Sequence, residues 1–205
     1  DEDVQKYVND VGQKLAAVSD RDLPYEFSVI NNSVPNAWAL PGGKISINRG
    51  LLTELESESE LAAVLGHEIV HAAARHGAKG VERGTIIQAT TVIAGVASAK
   101  SEYNQYVAIG AGIGAQLINS RYGRNAERES DLYGMNYMSR AGYDPQGAVD
   151  LQQTFVDLSK DKNTNFISGL FASHPPSKER LQANQSHANQ LPKGGVVGEK
   201  RYKKA

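Results

Sequence analysis

The chain has 205 residues, 40% of them hydrophobic and 22% charged, with a formal net charge of −1. That suits one domain with a real core and excludes a nucleic-acid binder acting through a basic surface. It has no cysteine, so disulfides and thiolate metal sites drop out, and any metal must be held by His, Asp or Glu.

The chain opens on Asp1 with no charged-then-apolar leader, so a processed N-terminus that has lost a secretion signal is expected. Val4, Tyr7, Val8, Val11, Leu15 and Val18 recur at helical spacing, which predicts an amphipathic helix over 3–18. Residues 25–30 read as a strand. A hairpin follows, with arms Ala37–Leu40 and Lys44–Asn48 joined by Pro41-Gly42-Gly43. Ser57 and Glu60 have capping-box spacing and open a strong helix through Leu61, Val64, Leu65, Glu68 and Ile69. It is expected to reach about His76, with Gly77 and Gly80 marking its exit.

The stretches 84–99 and 103–120 are uncharged and rich in Gly, Ala, Ile and Val, yet too short and too interrupted for membrane spans. A helical hairpin insertion over 83–120 is expected. The alternative is a surface that meets a membrane or an unfolded client. Helices are predicted at 124–141, at 145–158 and at 176–190, with a loop at 160–170. A Gly- and Lys-rich flexible tail is expected over 192–205, after a single domain at 1–191. The fold class is α+β, predominantly helical with one small β-sheet.

The helix from Ser57 carries His67-Glu68-Ile69-Val70-His71. Histidines four residues apart lie about 40° apart around a helix, so both imidazoles can grip one ion from the same side. Glu68 adjoins the first and can reach a zinc-bound water without being a ligand, taking its proton as the water attacks a peptide carbonyl. Burying two histidines and a glutamate on an otherwise apolar helix would be costly without a partner. His76, about 180° round from His67, is expected to point away and to serve the helix C-terminus. The third ligand should come from another helix, where Glu127 and Asp131 share a face one turn apart. Glu127 can ligate while Asp131 holds an imidazole N–H, and Glu129 should face elsewhere. The plain alternative is that these acids form a solvated charged face.

HEIVH followed some fifty residues later by Glu127-Arg128-Glu129-Ser130-Asp131 resembles the M48 metallopeptidases, the group of CAAX prenyl-proteases, HtpX and OMA1, especially its bacterial periplasmic BepA-like members. Ser130 stands where the family usually has alanine. Asn36-Ala37-Trp38-Ala39-Leu40-Pro41-Gly42-Gly43 and Ser173-His174-Pro175-Pro176-Ser177 with Arg180 match two further family elements. The resemblance covers about 1–185 and lacks the tetratricopeptide region of BepA-like proteins. It implies a zincin-like (gluzincin) fold, one zinc ion on His67, His71 and Glu127, Glu68 as base, and Asp131 behind the ligands, a position sometimes described as a proton donor. It also implies that His174 can approach the zinc and close the site; without the resemblance, His174 reads as a loop residue.

Arg180 would stabilise the oxyanion or a substrate carbonyl, or else form a salt bridge. Strand Lys44, Ile45, Ser46, Ile47, Asn48 is the candidate edge for an extended polypeptide substrate. The function implied is a metalloendopeptidase of periplasmic or cell-envelope protein quality control, with peripheral contact at a membrane or at outer-membrane assembly. The alternative is an assembly or chaperone-like binding protein with a latent, His174-capped zinc site.

Overall fold

The computed structural model describes residues 1–79, 122–160 and 167–204; the hairpin expected at 83–120 and its membrane alternative lie outside them. Helix α1 (Glu2–Ala16) is capped by Asp1, whose carboxylate accepts from the Asp3 N–H at 2.9 Å. It buries Val8, Val11 and Leu15. Gly12 lets it settle on the sheet, since a Cβ there would lie 2.5 Å from the Phe27 ring.

Strands β1 (Glu26–Ile30), β2 (Ala37–Leu40) and β3 (Lys44–Asn48) form a sheet of order β1-β3-β2. The hairpin is as expected, with Gly42 and Gly43 both at φ 90° in its turn. β1 pairs parallel with β3, in the register Phe27↔Ile45 and Val29↔Ile47. That overturns one expectation. β3 is the central strand, paired on both sides, so Lys44, Ile45, Ser46, Ile47 and Asn48 cannot accept a substrate strand. The edge is β2.

A short helix, α2 (Arg49–Leu52), leads to α3 (Glu58–Ala73), where the Ser57 hydroxyl accepts from the Glu60 N–H at 3.2 Å. Leu61, Leu65 and Ile69 on α3 are fully buried, each contributing about 1.5–3 kcal/mol of hydrophobic stabilisation. Helix α4 (Arg124–Arg140) crosses α3 where Gly66 meets Gly134. A Cβ on Gly134 would sit 3.0 Å from the His67 amide nitrogen, and one on Gly66 would sit 3.1 Å from the Gly134 carbonyl oxygen. The two backbones are therefore in contact, and this fixes the gap between the residues they carry.

Helices α5 (Gln146–Leu158), α6 (Ser168–Ser173) and α7 (Lys178–Ala188) complete the helical side. α6 falls partly in the stretch expected to be a loop. The tail is another correction: it docks rather than trailing. Val196 bridges to Tyr143, the Ser59 N–H donates to the Val197 carbonyl at 3.0 Å, and helix α8 (Glu199–Tyr202) places the Tyr202 hydroxyl on the Leu52 carbonyl. No helix among the described residues is long and apolar enough to cross a membrane.

Candidate metal centre

α3 and α4 bring His67, His71 and Glu127 to one point, and the turn after α6 adds His174; one ligand atom from each lies within 4.8 Å of the others. His67 Nε2 is 3.0 Å from His71 Nε2, 3.3 Å from His174 Nδ1 and 3.6 Å from Glu127 Oε2. Glu127 Oε1 is 3.3 Å from His71 Nε2 and 3.2 Å from His174 Nδ1. A tetrahedron with bonds near 2.0 Å has edges of about 3.3 Å, so the donor set fits a zinc-sized ion. Glu68 is buried beside this cluster, its Oε1 3.5 Å from His174 Nε2 and its Oε2 without a hydrogen-bond partner among the described residues.

Behind these candidate ligands, Asp131 Oδ1 lies 3.0 Å from His67 Nδ1. Arg180 grips Asp131 with two bonds of 2.7 Å, and its Nη1 reaches Glu127 Oε2 at 2.8 Å and the Pro175 carbonyl at 3.0 Å. The salt-bridge alternative is thus the one the geometry supports, because this guanidinium is engaged with Asp131 and Glu127. His76 departs from expectation. α3 ends at Ala73, Arg75 adopts φ 59°, and the chain doubles back so that His76 Nδ1 lies 3.0 Å from His71 Nδ1. Glu129 stands outside the four-residue cluster, as expected, and lies 3.3 Å from His76 Nε2. Tyr122 stacks on the His71 ring with centroids 3.8 Å apart. Sequence reasoning missed it; its place two residues before the helix carrying Glu127 was the available signal.

The sequence profile of peptidase family M48 matches residues 2–188. The chain belongs to peptidase family M48. It is 29% identical over 195 residues to the beta-barrel assembly-enhancing protease of Yersinia pestis, covering 91% of this chain and 39% of that protein. It is 33% identical over 178 residues to the mitochondrial metalloendopeptidase OMA1 of Schizosaccharomyces pombe, covering 86% of this chain and 50% of that one. Against the metalloprotease YcaL of Escherichia coli it is 30% identical over 181 residues, with coverages of 83% and 67%. The chain therefore spans half or less of the length of the first two relatives.

Charge in this M48 site is uneven. Burial would raise the Glu127 carboxyl, but His174 and His67 outweigh it and hold it well below the usual carboxylate range. Burial would lower His67, yet Glu127 and Asp131 prevail and push it up to about 10. Burial drives His71 the other way, well below an ordinary imidazole, and the neighbouring His67 and His174 add to this. Burial would also raise Asp131, but hydrogen bonds from Arg180 and His67 keep it below its ordinary value. An acid so held stays ionised, which favours orienting His67 over donating a proton. Glu68 is raised by burial, partly offset by His174, His67 and a main-chain hydrogen bond from Ala39.

Proposed function

We propose that this chain is a zinc-dependent metalloendopeptidase that cleaves unfolded or misassembled proteins in a bacterial envelope compartment. The observation that carries the reading is the convergence of His67, His71 and Glu127 around one point, with the buried carboxylate of Glu68 beside it, its Oε2 without a hydrogen-bond partner among the described residues. His67, His71 and Glu127 would hold the ion, which when bound polarises a scissile carbonyl and lowers the pKa of a water. Glu68 accepts the proton of the attacking water on its carboxylate and returns it to the departing amide nitrogen. Its raised pKa suits both halves of that transfer. Asp131, clamped by Arg180, holds the His67 ring in the orientation that presents Nε2.

Substrate would add along β2. The Asn48 N–H donates to the Asn36 carbonyl and Trp38 pairs with Ser46, so by alternation the main-chain groups of Ala37 and Ala39 face the open side. A groove of about 380 Å³ runs beside them, lined by Ala39, Leu40, Pro41, Gly42 and His71. Main-chain pairing there reads backbone rather than side chains, which suits unfolded clients. The Yersinia relative, a beta-barrel assembly-enhancing protease, supports β-barrel assembly as the setting.

A second reading has a specific observation in its favour. His174 Nδ1 takes the fourth corner of the donor set, the position an active zinc keeps open. In that reading the site is latent until the segment carrying His174 withdraws, and the chain acts meanwhile as a binding or assembly factor. Casein cleavage by wild type, Glu68→Gln and His174→Ala decides between them. Cleavage by wild type that is lost in Glu68→Gln supports the open enzyme. Cleavage by His174→Ala alone supports latency. No cleavage by either, with zinc bound, overturns the enzyme reading.

A further inference from the structure

The two histidine ligands are held from behind in different ways, and only one way uses the residues the motif supplies. His67 Nδ1 meets a carboxylate directly, at Asp131. His71 Nδ1 meets a third histidine, His76, whose far nitrogen meets Glu129. We propose that His76 is a positioning residue for His71, with Glu129 as its anchor, and that the pair governs how tightly the metal is held. The inference rests on the metal-site reading above.

The argument begins with which atom can be a ligand. His71 Nε2 faces His67 Nε2 and Glu127 Oε1, so it is the nitrogen that presents a lone pair to the ion. The proton of a neutral His71 must then sit on Nδ1, and an N–H so buried needs an acceptor. The group 3.0 Å away is His76 Nδ1. For that nitrogen to accept, His76 must carry its own proton on Nε2, which is the atom 3.3 Å from Glu129 Oε2. The chain of bonds therefore has one consistent direction: His71 donates to His76, and His76 donates to Glu129. Reversing it would place a proton on the ligating nitrogen of His71.

The backbone is built for this contact. Had α3 continued, His76 would point away from the pair. Instead Arg75 takes φ 59°, a left-handed conformation that costs a non-glycine residue on the order of 1 kcal/mol or more. The result of that strain is a His76 that is 8% exposed and packed edge-on to His71, with ring centroids 4.9 Å apart. The buried Ser130 hydroxyl closes over the same nitrogen at 3.5 Å. Glu129, by contrast, is 45% exposed at its side chain, so the outer end of the relay can be altered without disturbing the core.

The test is zinc affinity of the full chain, measured by chelator competition at fixed pH, alongside the melting temperature of each metal-free variant. His76→Leu should lose about 10- to 100-fold in affinity, the usual cost of removing the group behind a ligand. His76→Gln, whose amide oxygen can still accept from His71, should recover most of that loss. Glu129→Gln should weaken binding less than His76→Leu, and Glu129→Lys more than Glu129→Gln. In the zinc-loaded protein, nitrogen-15 imidazole spectra should show the His76 proton on Nε2. Unchanged affinity in His76→Leu overturns the relay. So does a loss in His76→Leu with neither Glu129 variant affected, which would leave His76 as packing alone, and so does a His76 proton found on Nδ1. Wild type that binds no zinc would overturn the metalloendopeptidase reading itself, whereas wild-type binding with unshifted variants overturns only the relay.

Discussion

The two ends of α3 both bury glutamates, and they treat them in opposite ways. At the N-terminal end Glu58 is fully buried, yet Tyr143 donates to its Oε1 at 3.0 Å, Tyr7 donates to Oε2 at 2.8 Å, and the Arg201 Nε lies 3.3 Å away. This one carboxylate ties α1, the end of α4 and the docked tail to α3. At the C-terminal end Glu68 is buried with Oε2 unpartnered among the described residues, beside histidine nitrogens crowded 3.0–3.3 Å apart. A buried polar group with every partner supplied by the chain belongs to the architecture. One left open beside four convergent donor groups is what the proposed metal chemistry calls for.

The sharpest way to break that comparison is to neutralise each glutamate and read both stability and chemistry. Glu68→Gln should lower kcat/KM on casein by about 10³-fold or more while zinc content and melting temperature hold. Glu58→Ala should do the reverse. It strands the Tyr143 and Tyr7 hydroxyls, while the half-exposed Arg201 turns to solvent, so denaturant unfolding should show a loss of about 2–4 kcal/mol. Zinc affinity of the folded protein should be unchanged. If Glu58→Ala instead released zinc from a chain of normal stability, the division between the two ends would be wrong.

Gly134→Ala probes the ground between them. Its methyl would press on the His67 amide, so a stability loss of about 1–3 kcal/mol is expected, together with weaker zinc binding. A loss of stability with zinc affinity intact would show that the crossing does not set the ligand gap. The smallest effect concerns Glu60, whose carboxyl is raised by burial although the Glu56 N–H donates to it. A carboxyl raised on folding contributes stability that is complete below its unfolded value, about 4.3, and is lost as pH rises through the folded one. Glu60→Gln should therefore gain on wild type between pH 4 and pH 7 in urea melts, and an unchanged difference would sink the assignment.

What the sequence made legible was local. Helical spacing puts the two HEIVH histidines on one face and Glu127 with Asp131 on another, the family resemblance joins them into one site, and Ser57 caps α3 as its pattern predicts. Features set by contacts across the chain were not legible. The alternation of Ile45 and Ile47 identifies a strand, but not that β1 will pair on its second side and make it central. His76 was misplaced because extrapolating α3 assumes right-handed backbone through Arg75. A third histidine soon after the motif was the only hint. The tail looked featureless because glycine and lysine dominate it, while its docking depends on Val196, Val197 and Tyr202.

The meeting of Gly66 with Gly134 has a further consequence. With backbone against backbone, no side chain can be trimmed or repacked to widen the space between the histidine helix and the glutamate helix. The crossing works as a gauge. Donor atoms 3.0–3.6 Å apart suit an ion with bonds close to 2 Å. Calcium, which needs bonds of about 2.3–2.6 Å and more oxygens, would have to force the helices apart. In the proposed metalloendopeptidase, selection by ionic size would thus rest on a crossing where α3 and α4 have no side chain to spare.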